Sequence, residues 1–192
     1  MGSEMCIRDS MFVDYINHRS QASFMPTGLK ATSSNIDIGF GVTESAPNTF
    51  TQAQIDLNLS PLDREVFVVL GVNLDPVAPE AIAATDTDVR ASLTTTSQTA
   101  VQQLSNSNCM ATAVLNIRAD ALGSVPFSRS SADTPIGNLD YIGIIATNDF
   151  FVQLKGTANT VEKSVFGKLY GYRARASADI YAALVQSEVL SA

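Results

Sequence analysis

The chain carries a single histidine, His18, and two cysteines, Cys6 and Cys109, among its 192 residues. A Ser-His-Asp or Cys-His machine would have to be built around that one imidazole, with Cys109 or one of many serines as nucleophile. His18 falls in a stretch without a regular period, MFVDYINHRSQASFMPTGLKATSS, where a histidine is expected to be a solvated side chain. One histidine and two remote cysteines do not make the ligand spacing of a zinc site. The carboxylates are better placed. Asp86 and Asp88 (TDTD), Asp133, Asp140 and Asp149 lie in or beside loops, where an acid/base pair or a calcium site could be assembled. They lack EF-hand spacing, however, and loop aspartates are ordinarily turn formers. Gly39, Gly41, Gly167 and Gly171 sit within strand patterns rather than ahead of a helix, so they do not form a phosphate loop. The absence of Trp weakens an aromatic carbohydrate platform. The sequence therefore predicts no catalytic, cofactor-binding or metal-ligating residue, no cofactor, and a protein that is not an enzyme.

Composition narrows the class further. A hydrophobic content of 45% supports a real core, and no run approaches the ~18 consecutive apolar residues of a membrane span. The first thirty residues hold no continuous apolar segment of the secretory kind. A formal charge of −7 argues against direct nucleic-acid binding, which needs clustered Lys and Arg. The late basic residues Lys155, Lys163, Lys168, Arg173 and Arg175 are spread along strand patterns and are expected to form a solvated face.

The elements that would have to hold any site read as extended segments. Residues 35–42 (NIDIGFGV) alternate cleanly, as do 54–59 (QIDLNL) and 88–96, whose threonines suit an exposed sheet face. Residues 65–74 are the most apolar run and predict a central strand buried on both sides, with Val66, Val68 and Leu70 in the core. Residues 109–118 fit either a strand or a helix, since Met110, Ala113, Val114 and Ile117 have helical spacing; strand neighbours on both sides favour strand. The stretch 122–139, with Pro126 and Pro135, reads as a long surface connection. Residues 141–146, 150–155 and 164–174 read as three consecutive strands joined by Thr147-Asn148-Asp149 and by residues 156–160, a meander whose first turn is a hairpin signal. On the last strand Val165, Gly167, Leu169 and Gly171 share one face, which predicts close approach of another layer on the glycine side. From Ser177 the period changes to that of a helix over 177–189, with Ile180, Leu184 and Val185 as its stripe and Tyr181 and Glu188 flanking it.

About eight strands with irregular connections and one helix predict a mostly β protein, an antiparallel β-sandwich of jelly-roll type with a C-terminal α-helix. The opening MGSEMCIRDS resembles a translated sequencing-adapter tail found on metagenomic gene fragments. Residues 1–10 are therefore expected to be non-native, and without Glu4, Arg8 and Asp9 the charge of −7 becomes −6. The expected organisation is an extended N-terminal arm at 11–34, a sandwich at 35–176 and a helix at 177–192. In its Thr/Ser/Asn-rich loops, N-terminal arm and terminal helix, the texture from about Asn35 to Ala176 resembles small jelly-roll capsid proteins of tailless environmental viruses, although the arm lacks the basic cluster of capsids that package their genome directly. That resemblance implies a virion structural subunit whose partners are copies of itself or other virion proteins. The alternative is a lectin-like binding module, with Asn106, Asn108, Asp133, Asn138 and Asp140 as polar contacts. An enzyme using the loop carboxylates ranks third.

Overall fold

The computed structural model describes residues 27–119, 123–130 and 140–190, in which ten strands and one α-helix are formed. The innermost unit is an antiparallel pair of β5 (Thr87–Thr94) and β6 (Cys109–Ala119). Outside it, β4 (Glu65–Pro76) pairs with β8 (Gly143–Ile145), then β3 (Thr51–Asp56) with β9 (Asp149–Thr157), then β2 (Ile36–Thr43) with β10 (Ser164–Ala176), all antiparallel. Four nested antiparallel pairs are one long hairpin, and they lie in two sheets because the hairpin is rolled up. The first sheet runs β2-β10-β4-β8 and the second β3-β9-β5-β6, with β1 (Leu29–Ala31) added beside β2 on β10 and β7 (Ser124–Ser130) added on β6. This is the jelly-roll arrangement.

The segment at 109–118 is a strand, and β4 is buried on both sides over 66–69, while Asn73 and Asp75 near its end are exposed. Phe67, Val69, Val72 and Leu74 face the second sheet, whereas Val66 and Val68 face outward under α1 (Ala178–Leu190). Leu70 is not core. The β4–β10 register slips between Tyr170 and Gly171 so that Leu70 has no Cα partner, and as the extra residue of a bulge it reverses the inward parity of the strand. Between the sheets, Phe40 and Phe150 meet edge to face at 5.7 Å. The glycine side is closely approached, but by neighbouring strands of the same sheet rather than by another layer: a Cβ at Gly167 would lie 2.6 Å from the Phe40 ring of β2, and one at Gly171 would strike the Phe67 ring and the Val68 carbonyl of β4.

Several expectations are corrected. The meander is absent: β8, β9 and β10 alternate between the sheets, and none pairs with its neighbour in sequence. The 147–149 turn is instead a crossing, held by Asn148, whose backbone oxygen accepts from Leu57 N at 2.7 Å and whose Oδ1 accepts from Leu59 N at 2.6 Å. Leu57 and Leu59 are buried as their alternation requires, yet β3 stops at Asp56, and the left-handed Asn58 (φ 52°) follows. Within the stretch read as a connection, β7 forms despite Pro126, because an edge strand tolerates a residue without an N–H. β1 extends the sheet ahead of the expected start at Asn35. The helix is where expected, and its stripe is used within the chain: Ile180, Tyr181, Leu184 and Val185 pack on Val66, Val68, Ala174 and Ala176 of the outer sheet face. Small alanines on β10 let the helix axis come close.

Candidate functional site

Among the described residues, the carboxylates picked out by sequence do not gather into a group of three. Asp86 is exposed and accepts from Ala119 N at 3.0 Å and from Arg118 at 2.5 Å; the Ala119 amide, then the guanidinium, hold its carboxyl below the usual range. Asp88 is buried, takes Arg90 at 2.9 Å through Oδ2, and leaves Oδ1 without a hydrogen-bond partner among the described residues. Asp149 accepts from Gln54, and Asp140 is exposed. His18, Cys6, Asp133 and Asn138 lie outside the described residues. Among the described residues, no three His, Cys, Asp or Glu side chains are placed to hold a metal ion, and no helix is long and apolar enough to cross a membrane.

Asn106 and Asn108 turn into the molecule rather than toward a ligand. Asn106 Oδ1 accepts from Asn108 N at 2.9 Å, and Asn108 Nδ2 donates to Thr96 Oγ1 at 2.8 Å in a buried position. They belong to a loop, residues 95–108, laid over the outer face of the second sheet. Beneath it, Gln153 is fully buried: Oε1 accepts from Ser92 at 2.8 Å, while Nε2 donates to Thr94 at 2.6 Å and to Gln52 at 3.1 Å. Gln102 N in turn donates to Ser92 Oγ at 3.0 Å. A sheet face that should have been wet is thus covered, and its polar side chains satisfy one another.

A second polar hub sits where β9 turns into β10. Glu44 is buried and accepts from Gly156 N at 2.6 Å and Lys163 N at 2.9 Å. Asn159 exchanges hydrogen bonds with Asn48 at 2.8 Å in both directions and donates through Nδ2 to Asp88 O at 2.9 Å. Glu80 accepts from Thr160 N and Oγ1 at 2.5 and 2.7 Å, which lowers its carboxyl. Lys163 is buried with its Nζ 4.0 Å from Glu80, which corrects the expectation of a solvated lysine. Of the other late basic residues, Lys168, Arg173 and Arg175 pair with Asp37, Glu65 and Asp63.

A cleft of about 290 Å³ between α1, β8 and the start of β6 gathers candidate residues, being lined among others by Asn108, Cys109, Met110, Leu184 and Glu188. Burial pushes the Cys109 thiol up to about 11, so it stays protonated at neutral pH and is a poor nucleophile. Glu188 uses both oxygens structurally, accepting from Ala146 N at 3.0 Å and Thr147 N at 2.9 Å, and so latches the helix to the end of β8. Spacing could have revealed it: Ile180, Leu184 and Glu188 recur every four residues, which places Glu188 on the stripe rather than beside it.

Burial, with some repulsion from Asp149, raises the Glu188 carboxyl above its ordinary value of 4.5. A folded-state value that is raised makes the stabilising contribution complete below the unfolded value and lost as pH rises through the folded one. Glu188→Gln should lower the melting temperature, because an amide cannot accept from both N–H groups. The gap from wild type should be widest below pH 4.5, the ordinary carboxyl value, and narrow as pH rises through the raised folded value. A gap that widens toward neutrality would contradict this sign.

No protein-family model matches the chain, and no curated protein is found similar to it. Among solved structures, a chain from Desmodium yellow mottle tymovirus is similar at 13% identity and a TM-score of 0.31, covering 83% of this chain and 98% of that one. So low a score bears on neither role nor ancestry, and the fold stands on the strand order alone.

Proposed function

We propose that the chain is a non-enzymatic structural subunit of a virion, one that assembles with copies of itself or with other virion proteins. The observation that carries this reading is where the polar and apolar groups have gone. Glu44, Asn159, Gln153 and Glu188, the groups from which a binding or catalytic site would be made, are turned inward to brace loops and the helix. Large apolar side chains stand exposed on strands instead, Val125 and Phe127 on the edge strand β7 and Phe166 and Tyr170 on β10. Exposed apolar groups gathered on sheet surfaces fit protein contact. The space between the sheets is filled by the apolar core, which leaves a jelly roll its surfaces rather than its interior to work with.

Light scattering of the full chain over a concentration and salt series tests the reading. Growth into a defined oligomer or a closed shell is the expected result. A strict monomer at every concentration would overturn it.

A further inference from the structure

We infer that the half of the first sheet's outer face left bare by α1, centred on Phe166, Lys168 and Tyr170, is the surface on which a second copy of this chain docks. The inference rests on the assembly reading above and names its contact. Along β10 the outward residues divide in two: Tyr172, Ala174 and Ala176 lie under the helix, whereas Phe166 and Tyr170 remain 55% and 41% exposed. Beside them on β2, outward positions 39 and 41 are both glycine, paired with Lys168 and Phe166.

These glycines differ. A Cβ at Gly41 would touch the Phe166 ring at 3.0 Å, so that ring lies flat on the bare backbone. At Gly39 a Cβ would meet nothing within 4 Å, and its φ is not in the left-handed region. Neither packing among the described residues nor backbone conformation calls for glycine there, and glycine in a strand has an entropic cost. A strand glycine of this kind fits the close approach of a backbone from outside.

Charge selects the occupant. Lys168 pairs with Asp37 at 2.8 Å on the exposed face, and Asp75, directly across β10 from Phe166, has no ion-pair partner among the described residues. A face with one cation between two carboxylates is complementary neither to a strongly basic nor to a strongly acidic partner. It is complementary to itself: in a twofold contact the lysine of each copy can reach the Asp75 of the other, and the aromatic rings of each can cover the glycine strip of the other.

Two variants of the full chain test this by light scattering and thermal melting. Gly39→Gln fills space that no described residue occupies and should leave the melting temperature of the monomer unchanged or raised, while increasing the concentration needed for association by at least about tenfold. Asp75→Lys, also exposed, should weaken association similarly without unfolding the chain. If wild type assembles and both variants assemble as readily, this face is not the contact, although the assembly reading survives. If wild type never assembles, both readings fall. If the variants instead lose binding to a glycan or to lipid vesicles while association is unchanged, the face serves another partner and the inference is overturned.

Discussion

Replacing Phe67 with alanine should lower the unfolding free energy by about 3–5 kcal/mol. The side chain is 1% exposed and is among the largest fully buried groups, near the start of β4 and facing the second sheet. Its ring occupies the space above Gly171, where a Cβ would come within 2.9 Å of the ring carbon Cζ and closer still to Cε1. Strand-to-strand packing here is a fitted pair, a large ring on β4 and a missing side chain on β10. The converse substitution, Gly171→Ala, should therefore destabilise by overpacking, by about 1–3 kcal/mol or more, because the Val68 carbonyl is also in the way and backbone cannot step aside. The two sites touch, so their effects should not add. In a Phe67→Leu background the cost of Gly171→Ala should shrink but not vanish, since the carbonyl collision remains. Urea titration of the four proteins of this cycle, together with Phe67→Ala, is the measurement. Full additivity, or a Phe67→Ala cost below about 1 kcal/mol, would show that the two strands do not meet as described.

The Gly167 and Gly171 pattern was legible in advance because glycine alternating with Val165 and Leu169 has few meanings inside a strand. Period-2 alternation located β2, β5, β9 and β10 and, within a few residues, β3; the apolar run located β4, strand neighbours decided β6 against its helical spacing, and the change of period at Ser177 located the helix. Order in space was a different matter. Thr147-Asn148-Asp149 has the composition of a hairpin turn, yet what fixes the chain there is Asn148 reaching Leu57 and Leu59, about ninety residues earlier. A contact of that separation leaves no mark in a local window. Leu70 illustrates a second limit: one extra residue in β4 moves it out of the core while the alternation on either side looks unbroken. Pro126 hid β7 because proline excludes central strands but not edges, and edge status is a property of the sheet rather than of the segment. The polar hubs were missed for a related reason. Gln153 falls on a face that alternation marks as solvent-facing, and Glu44, though it continues the inward set of Ile38, Phe40 and Val42, lies just past the end of β2 and is charged; the 95–108 loop and the β9–β10 connection, folding back, bury them.

Glu44→Ala is the second large effect, and it follows from that burial. At 4% exposure the carboxylate is the acceptor for Gly156 N and Lys163 N, the two ends of the β9–β10 connection, while Glu44 N itself donates to Lys163 O at 2.9 Å. Removing it leaves two amide donors enclosed without an acceptor, each costing about 1–3 kcal/mol, so the whole should cost about 2–5 kcal/mol. Relaxation remains restricted in the variant, since a Cβ at Gly156 would lie 2.8 Å from Asn159 Nδ2, which stays in place when the carboxylate is gone. Glu44→Gln should cost less than alanine but not be neutral, because an amide offers one acceptor where two donors point. Chemical denaturation gives the magnitude, and hydrogen exchange at the Gly156 and Lys163 amides gives the cause. Both amides should exchange faster in the alanine variant, while Val89 and Ala91, in β5 beside β9, keep their protection. If the alanine variant is as stable as wild type with both amides still protected, water has replaced the carboxylate. Glu44 would then be a group left at the surface of the fold, and a rigid brace at this end of the sandwich would no longer explain why it is buried.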